Sequence, residues 1–318
     1  MSPLLDVRNL MTYFFTAAGL VKAVRGLEFS IDRGETLALV GESGCGKSVT
    51  ALSLLRLVQP PGRVVEGELL FQGEDLRKLP PQEMRRIRGN RISMVFQEPM
   101  TALNPVLTIG EQIGEVLTLH RDASRQEALT GAADLLQQVG IGDPHRRLRD
   151  YPHQLSGGMR QRIVIAMALA CDPELLIADE PTTALDVTIQ AQILDLLEQL
   201  KEQRRMATLL ITHDLGIVAE TADKVAIMNA GLIMEYAPTA SLFHRPFHPY
   251  TQGLLACIPR LGEKRHRLPI IADSAATAKD IEGQSFLDGL SAPFAPVRNK
   301  LPPLVEIEPD HFARCWRD

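Results

Sequence analysis

Apolar residues along this chain follow two different periods, and the shorter one predicts strands. Leu27, Phe29 and Ile31 alternate with polar neighbours, as expected of a strand with one buried face. Other apolar runs are short and continuous, which is typical of fully buried strands. The strands predicted from these runs cover residues 36–40, 92–96, 175–178, 208–212 and 224–229.

Between the predicted strands, apolar residues repeat at helical spacing. This spacing is present over residues 49–58 and in a stripe that runs from Ile189 to Leu200. A longer helical block, from Thr108 to Val139, contains a capping box that begins at Ser124. Strands that alternate with helices predict an α/β fold, and the long helical block predicts an inserted subdomain. After Tyr236 the chain becomes rich in His, Pro and polar residues, which predicts a small, irregular C-terminal appendage.

Size and charge narrow the class of protein. The 318 residues, 45% of them hydrophobic, suffice for one large α/β domain with appendages or for two domains. A formal net charge of -5 argues against a general nucleic-acid binder. No apolar run approaches the ~18 residues that span a bilayer, and we see no export signal at the N-terminus. The cysteines at positions 45, 171, 257 and 315 lack the spacing of a metal site.

A glycine-rich segment between a predicted strand and a predicted helix indicates phosphate binding. It reads Gly41-Glu42-Ser43-Gly44-Cys45-Gly46-Lys47-Ser48 and fits the pattern G-x-x-x-x-G-K-[ST]. Its glycines let successive backbone N–H groups point at phosphate oxygens. Lys47 would reach the outer phosphates and Ser48 would place a hydroxyl on Mg²⁺. We expect the loop and Val49, the first residue after it, to bind the phosphates of a nucleotide.

Polar side chains follow two of the buried strands. Gln97 ends the run at 92–96, where an amide can reach a metal or a water in an α/β crevice. Asp179 and Glu180 end the run at 175–178, and neighbouring strand residues point to opposite faces. Asp179 suits the Mg²⁺ shell, whereas Glu180 suits orienting or deprotonating a water.

Further signals are weaker when each is taken alone. Ser156-Gly157-Gly158 opens an apolar helix, either as a phosphate-facing N-terminus or as an ordinary capped start. His213 ends a third buried strand, where we favour a functional histidine over a structural one. An aromatic ring in the Tyr13-Phe14-Phe15 segment would either stack on adenine or pack in the core. Asp186 is placed to cap the helix that follows it.

In combination, these residues resemble the nucleotide-binding subunit of an ATP-binding-cassette (ABC) transporter, over nearly the whole chain. The family's order and spacing are matched by the phosphate loop, Gln97, Leu155–Gly158, Asp179–Glu180, Leu185–Asp186 and His213. The chain is especially similar to the ATPases of oligopeptide and dipeptide importers, through residues 151–156, 186–192 and 248–251. Some nickel importers share these features.

The resemblance implies a fold and domain limits. It implies a P-loop NTPase (RecA-like) core with an antiparallel β subdomain, an inserted α-helical subdomain at about residues 98–165 and a small irregular C-terminal extension. The ABC ATPase domain would cover residues 1–235, and the extension typical of oligopeptide importers would cover residues 236–318.

The resemblance also assigns roles to matching positions. Phe14 would stack on adenine, with Tyr13 as second choice, and Gly41 to Val49 would bind the phosphates of ATP. Ser48, Gln97 and Asp179 would face Mg²⁺. Glu180 would activate the attacking water and His213 would contact the γ-phosphate. Ser156, Gly157 and Gly158 would close over ATP held by a partner ATPase, with Asp186 in the adjoining loop.

The implied partners belong to a membrane assembly. They are two transmembrane permease subunits, a second ABC ATPase that is usually a related but different chain, and, indirectly, an extracytoplasmic solute-binding protein. No nucleic acid is expected. The helical block, with residues 98–105 after Gln97, would receive a short cytoplasmic helix of a permease. The chain would lie at the cytoplasmic face of the inner membrane and hydrolyse ATP to drive the uptake of peptides.

One departure from the subfamily concerns its iron–sulfur cluster. Many members bind a cluster through four cysteines in the C-terminal tail. The frame of that tail is recognisable here at Gly283, Phe286, Pro303-Leu304, His311 and Cys315-Trp316. The other three cysteine positions hold Gln284, Leu290 and Val297. One thiolate cannot hold a cluster that needs about four ligands, so we predict no iron–sulfur cluster.

Other functions stay open at this point. A nickel or other small-solute importer of the same family is the nearest alternative. A soluble cassette ATPase of translation or DNA repair usually has two cassettes or a long coiled coil, and this chain has neither. A regulatory module that binds nucleotide without hydrolysis is disfavoured by Glu180 and His213.

Overall fold

The computed structural model describes residues 2–183, 185–257, 291–294 and 300–316. Its contacts divide the chain into two compact units. Unit 1 joins Met1–Arg77 to Ile211–Asp318, and unit 2 is the continuous segment Lys78–Leu210. The two units meet at residues 77–78 and 210–211, so they do not test the predicted domain limit at 235 or the predicted helical subdomain at 98–165, which stay predictions.

The described residues form the following strands: β1 (Leu5–Thr16), β2 (Gly19–Ile31), β3 (Thr36–Val40), β4 (Gly62–Phe71), β5 (Glu74–Asp75), β6 (Ile92–Val95), β7 (Leu175–Asp179), β8 (Ala207–Thr212), β9 (Lys224–Asn229), β10 (Leu232–Pro238), β11 (Leu304–Glu308) and β12 (His311–Arg314). They form these helices: α1 (Lys47–Leu54), α2 (Pro81–Ile87), α3 (Pro99–Ala102), α4 (Ile109–Arg121), α5 (Arg125–Gln138), α6 (Pro144–Arg147), α7 (Gly157–Leu169), α8 (Val187–Arg204), α9 (Leu215–Thr221), α10 (Thr239–His244) and α11 (Pro249–Ala256). A 3₁₀ turn covers Pro152–Gln154.

In unit 1, an antiparallel sheet has the strand order β2-β1-β4-β5. The predicted alternation on β2 is confirmed, because Leu27, Phe29 and Ile31 are buried while Glu28 is exposed. The end of β2 pairs with the start of β1, with Ile31 opposite Leu5. This sheet is the antiparallel β subdomain that the family resemblance implies.

A second set of strands in unit 1 carries the phosphate loop. β3 pairs in parallel with β9, β9 pairs antiparallel with β10, and β10 pairs antiparallel with β12. All five residues of β3 are buried, which explains its continuous apolar run. Val40, Ile227, Met234 and Tyr250 belong to one buried apolar cluster in this unit. The phosphate loop leaves the carboxyl end of β3 and leads directly into α1.

The described part of the C-terminal extension is more regular than the predicted irregular appendage. The composition change at Tyr236 falls inside β10, which continues to Pro238. Two helices follow, and the hairpin of β11 and β12 then returns to pair with β10, with Tyr236 opposite Phe312. The extension therefore adds strands to a sheet of unit 1.

A buried polar cluster, formed by Glu235, His248, His311 and Arg314, ties the hairpin to β10. The Glu235 carboxylate accepts hydrogen bonds from the backbone N–H groups of Phe247 at 2.8 Å and His248 at 2.9 Å. It also lies 2.7 Å from Nε2 of His311. Arg314 donates to the carbonyl oxygens of Ile233 and Pro302, each at 2.8 Å. Because buried charge is costly without partners, these contacts explain why the cluster is tolerated.

Unit 2 contains two parallel strands, β6 and β7, paired with Ile92 opposite Leu175, and helices α2 to α8. The predicted helical block consists of two helices, α4 and α5, and the predicted capping box lies at the start of α5. Ser124 Oγ accepts from the N–H of Glu127 at 3.4 Å, and the Glu127 carboxylate accepts from the N–H of Ser124 at 2.9 Å. Apolar residues of α4, α5, α7 and α8 share one buried cluster. β8 lies at the boundary between the units. No helix in the described part of the chain is long and apolar enough to cross a bilayer.

Candidate functional site

The phosphate loop has the strand–loop–helix context that the sequence predicts. Lys47 is the first residue of α1, and Gly46 caps that helix with a left-handed φ of 108°. A Cβ on Gly46 would lie 2.3 Å from the carbonyl oxygen of Ala23, and one on Gly41 would lie 2.1 Å from that of Met228. Glycine is required at both positions, because real side chains do not approach a carbonyl so closely.

The Lys47 side chain folds back across the loop. Its ammonium donates to the carbonyl oxygens of Gly41 at 2.7 Å and Glu42 at 3.0 Å. The lysine is 5% exposed, so the charge is held inside the loop rather than in solvent. Cys45 Sγ lies 3.9 Å from Lys47 Nζ, and burial raises the pKa of this thiol despite the nearby lysine charge. The loop thus combines a fixed positive charge with a backbone that only glycine permits.

The aromatic residues Tyr13, Phe14 and Phe15, which precede the phosphate loop, differ in exposure: Tyr13 and Phe14 are half-buried and Phe15 is exposed. A Cβ on Gly62 would meet the Phe14 ring at 2.5 Å and Val58 Cγ1 at 2.8 Å, so Phe14 is near the segment that follows α1. Tyr13 donates its hydroxyl to Met11 Sδ at 3.3 Å. Phe15 is 45% exposed, with the guanidinium of Arg63 stacked 4.4 Å from its ring centroid. Phe14 is half-buried, and its proposed contact with adenine stays a prediction.

His213 follows the last residue of β8 and is exposed. The next residue, Asp214, caps α9 by accepting from the N–H groups of Gly216 at 2.8 Å and Ile217 at 3.4 Å. The N–H of Asp214 in turn donates to Thr212 Oγ1 at 3.0 Å. The end of β8 is therefore held by local hydrogen bonds on either side of the histidine.

In unit 2, the two predicted carboxylates occupy different environments. Asp179 is the last residue of β7 and is 4% exposed. Glu180 is half-buried and adopts a left-handed φ of 46°, an uncommon conformation for a side chain with a Cβ. The carbonyl oxygen of Glu180 accepts from the N–H of Thr183 at 3.1 Å, which closes a turn over residues 180–183.

The structure brings Gln97 and Glu180 together. The amide nitrogen of Gln97 donates to Glu180 Oε2 at 2.9 Å. Thr183 Oγ1 donates to the same oxygen at 2.8 Å. Sequence reasoning did not include Thr183 among the site residues, because a threonine after Asp-Glu-Pro-Thr reads as an ordinary turn residue. Its position three residues after Glu180, in a turn, was the available signal.

Ser156, Gly157 and Gly158 lie at the N-terminus of α7. Ser156 caps the helix by accepting from the N–H of Met159 at 3.3 Å, so the capped-start interpretation is confirmed locally. A Cβ on Gly158 would lie 2.8 Å from Ile189 Cγ2 in α8. Asp186 caps α8 through the N–H of Ile189 at 3.0 Å, as predicted. A larger residue at Gly158 would therefore force the Ile189 side chain in α8 to shift.

Comparison with known families identifies the chain. A family model described as "ABC transporter" matches residues 24–183, about half of its length. The chain belongs to the ABC transporter family. A second model, "Oligopeptide/dipeptide transporter, C-terminal region", matches residues 234–294 of this ABC protein.

Curated relatives of this ABC protein are named as ATP-binding proteins of peptide transporters. It is 52% identical over 317 residues to the "Probable peptide ABC transporter ATP-binding protein y4tR" of Sinorhizobium fredii, covering 99% of this chain and 95% of the relative. It is 55% identical over 262 residues to the "Dipeptide transport ATP-binding protein DppD" of Bacillus subtilis, covering 82% of this chain and 78% of the relative. The resemblance stated from the sequence motifs is confirmed.

Solved structures agree on the fold. The dimeric post-hydrolysis state of the ATP-binding cassette MJ0796 bound to ADP and Pi matches with a TM-score of 0.67 and 28% identity, covering 74% of this chain and 98% of that one. CbiO1 from Clostridium perfringens, part of the ABC transporter complex cbiONQ, matches with a TM-score of 0.64 and 24% identity, covering 77% of this chain and 92% of that one. The predicted P-loop NTPase class is confirmed, and this chain is an ATP-binding subunit that couples ATP hydrolysis to transport.

Proposed function

We propose that this chain is the ATP-hydrolysing subunit of an importer that takes up dipeptides and oligopeptides across the cytoplasmic membrane. The observation that carries the proposal is the match of residues 234–294 to the C-terminal region of oligopeptide and dipeptide transporters. The full-length similarity to a peptide ABC transporter protein supports the same substrate class. Its partners would be the permease subunits of a membrane transporter, and the family resemblance implies two of them.

ATP binding begins at the phosphate loop. The ammonium of Lys47 is already held across the loop, where it offers a positive charge to the outer phosphates. The glycine positions keep the loop backbone clear of side chains, so that its N–H groups can approach phosphate oxygens. The half-buried Phe14 ring is the candidate for stacking on adenine.

The residues proposed to face Mg²⁺ have suitable chemistry. Ser48, Gln97 and Asp179 offer hydroxyl, amide and carboxylate oxygens, the donor type that Mg²⁺ prefers. Asp179 keeps its carboxylate at a buried strand end, which is consistent with a role toward a cation. Gln97 donates through its nitrogen to Glu180, so its amide oxygen is a separate atom for a metal. When bound, Mg²⁺ would neutralise developing charge on the phosphates.

Glu180 is the candidate base for hydrolysis. Its carboxylate accepts hydrogen bonds from the Gln97 amide and the Thr183 hydroxyl. Both donors are neutral, so they orient the carboxylate without neutralising its negative charge. It would orient and deprotonate the attacking water, while His213 would contact the γ-phosphate. The iron–sulfur prediction stays untested, because Gln284, Leu290 and Val297, with Gly283 and Phe286, lie outside the described residues.

A second ATPase subunit completes the proposed site. The N–H groups at the start of α7, with Ser156 and Gly158, would face ATP held by a partner cassette, as helix N-termini favour anions. The partner would be a related but different chain. An extracytoplasmic binding protein would deliver peptide to the permeases, and this subunit would lie at the cytoplasmic face of the inner membrane.

The catalytic part of the proposal is tested with Glu180→Gln and with Glu202→Gln, a matched change at an exposed position of α8. We expect the Glu180→Gln protein to bind ATP and to lose turnover by at least 100-fold, as removal of a general base costs about 10²–10⁴-fold. Glu202→Gln should retain both activities. Hydrolysis by Glu180→Gln at the wild-type rate would contradict the role of Glu180.

The transport part is tested by recovering tagged Glu180→Gln protein with ATP and Mg²⁺ from detergent-solubilised membranes of its native host. Mass spectrometry should find two polytopic permeases and a second cassette ATPase. Uptake of a labelled dipeptide should fall in cells whose only copy carries Lys47→Ala, with nickel uptake as the comparison. Loss of nickel uptake alone would overturn the peptide assignment, and soluble partners alone would overturn transport.

A further inference from the structure

The turn over residues 180–183 holds the Glu180 side chain as well as its backbone. The backbone N–H of Thr183 bonds to the carbonyl oxygen of Glu180, and the Thr183 hydroxyl bonds to Glu180 Oε2. The two hydrogen bonds connect the same pair of residues at 3.1 Å and 2.8 Å. The turn therefore sets both the left-handed φ of Glu180 and the direction of its carboxylate.

Gln97 and Thr183, which both donate to Glu180 Oε2, come from different parts of unit 2. Gln97 follows β6, and its contact depends on how the segment after β6 lies relative to the end of β7. Thr183 lies in the same turn as Glu180, so its contact depends only on that turn. A β-branched residue has restricted χ1, which fixes the direction of the threonine hydroxyl more firmly than that of serine.

We propose that Thr183 is a positioning residue, whose hydroxyl holds the Glu180 carboxylate in the orientation needed for hydrolysis. This inference rests on the proposed function, since it assumes that Glu180 is the base. Thr183 acts through Glu180 and touches no substrate itself. The rate of hydrolysis depends steeply on this orientation, because a misplaced carboxylate is less often within hydrogen-bond reach of the attacking water.

The exposure of Thr183 makes the inference testable without disturbing the core. Thr183→Val keeps the shape of the side chain and removes the hydroxyl. Thr183→Ser keeps the hydroxyl and removes a methyl group. Thr130→Val is the matched control, because Thr130 is also exposed in unit 2 and its hydroxyl donates only locally, to the carbonyl oxygen of Gln126 at 3.1 Å.

The experiment measures kcat and KM for ATP in the transporter complex purified from membranes through a tag on this chain. We expect Thr183→Val to lower kcat about tenfold, the effect of one hydrogen bond to a charged group, with KM changed less than about twofold. Thr183→Ser should restore most of the rate, and Thr130→Val should match the wild type. In the Glu180→Gln background, Thr183→Val should lower the residual rate no further.

The outcomes separate this inference from the proposed function. If Glu180→Gln abolishes turnover but Thr183→Val keeps the wild-type kcat, the positioning role of Thr183 is wrong and the assignment of Glu180 stands. An equal loss in Thr183→Ser and Thr183→Val would also overturn the inference, because the hydroxyl would then be irrelevant. If Glu180→Gln retains full activity, the proposed role of Glu180 fails first.

Discussion

The buried His248 makes the stability of unit 1 depend on pH. The side chain caps α11, with Nδ1 accepting from the N–H of Tyr250 at 3.1 Å, and its ring packs edge-on against Phe294. Burial, reinforced by the positive charge of Arg314, lowers the pKa of His248 from 6.5 to about 4. The folded protein therefore keeps this ring neutral at pH values where an unfolded chain would protonate it.

The sign and size of the effect follow from this difference. Between pH 6.5 and about 4 the unfolded chain binds a proton that the folded protein excludes, so the free energy of unfolding falls as pH falls. Each pH unit in this window costs about 1.4 kcal/mol. The loss at pH 5 is therefore about 2 kcal/mol, and it reaches about 3 kcal/mol near pH 4. Above pH 6.5 the ring is neutral in both the folded and the unfolded chain, so His248 adds no pH dependence to the free energy of unfolding.

Urea unfolding at pH 7.5 and at pH 5 measures the effect. The single tryptophan, Trp316, donates its backbone N–H to the carbonyl oxygen of Pro293 at 2.8 Å and lies in unit 1, so its fluorescence reports the unit that contains His248. His248→Asn removes the titrating ring, and asparagine is a good N-cap residue. We expect the variant to lose about 2 kcal/mol less than the wild type between the two pH values.

Comparison between the two proteins removes contributions from other groups near His248. Glu235 and His311, which lie in the same buried cluster, are present in both. His244→Asn, at an exposed position of α10, is the control and should keep the wild-type pH dependence. Equal pH dependence in the wild type and in His248→Asn would refute the reasoning, since it would mean that His248 is not held neutral by the fold.

Two further predictions concern close contacts at glycines, and a third concerns a buried thiol. Gly46→Ala should abolish binding of a fluorescent ATP analogue, because its Cβ would lie 2.3 Å from the carbonyl oxygen of Ala23; unchanged affinity would contradict this. Gly158→Ala should lower the free energy of unfolding of unit 2 by about 1–3 kcal/mol, because the new methyl group overpacks against Ile189. Adding Ile189→Ala to this variant should relieve part of that loss. Additive losses in the double variant would argue against the contact. Iodoacetamide should modify Cys45 more slowly in the folded protein than in urea at pH 7.5, because burial raises the pKa of its thiol; equal rates by mass spectrometry would count against burial.

Continuous apolar runs predicted the buried strands accurately. The predicted strands at 36–40 and 224–229 coincide with β3 and β9, because strands covered on both faces have mostly apolar residues along their length. The hairpin of β11 and β12 escaped prediction. β11 is half-exposed along its length, and its neighbour β12 pairs with β10, far away in the sequence. Such long-range pairing leaves no local period to detect.

Sequence motifs indicated candidate site residues, but they gave no information on the contacts of those residues. The phosphate loop was predictable because its glycines and its lysine each meet a requirement of backbone geometry or charge. The left-handed φ of Glu180 and its bonds to Gln97 and Thr183 were not predictable. They depend on how a turn and a distant segment converge, and the residue types involved are common in ordinary loops.

The discontinuity of unit 1 has a consequence for how the protein is made. Unit 2 is one continuous segment that ends at Leu210, whereas unit 1 needs Met1–Arg77 together with Ile211–Asp318. Ribosomes add about 5–20 residues per second, so the N-terminal part must wait on the order of ten seconds, while unit 2 is made, before its partner strand β9 exists. During that interval the nascent chain exposes the apolar edge of β3, to which β9 has yet to be added. Binding by a ribosome-associated chaperone is therefore expected to concentrate on the first 77 residues.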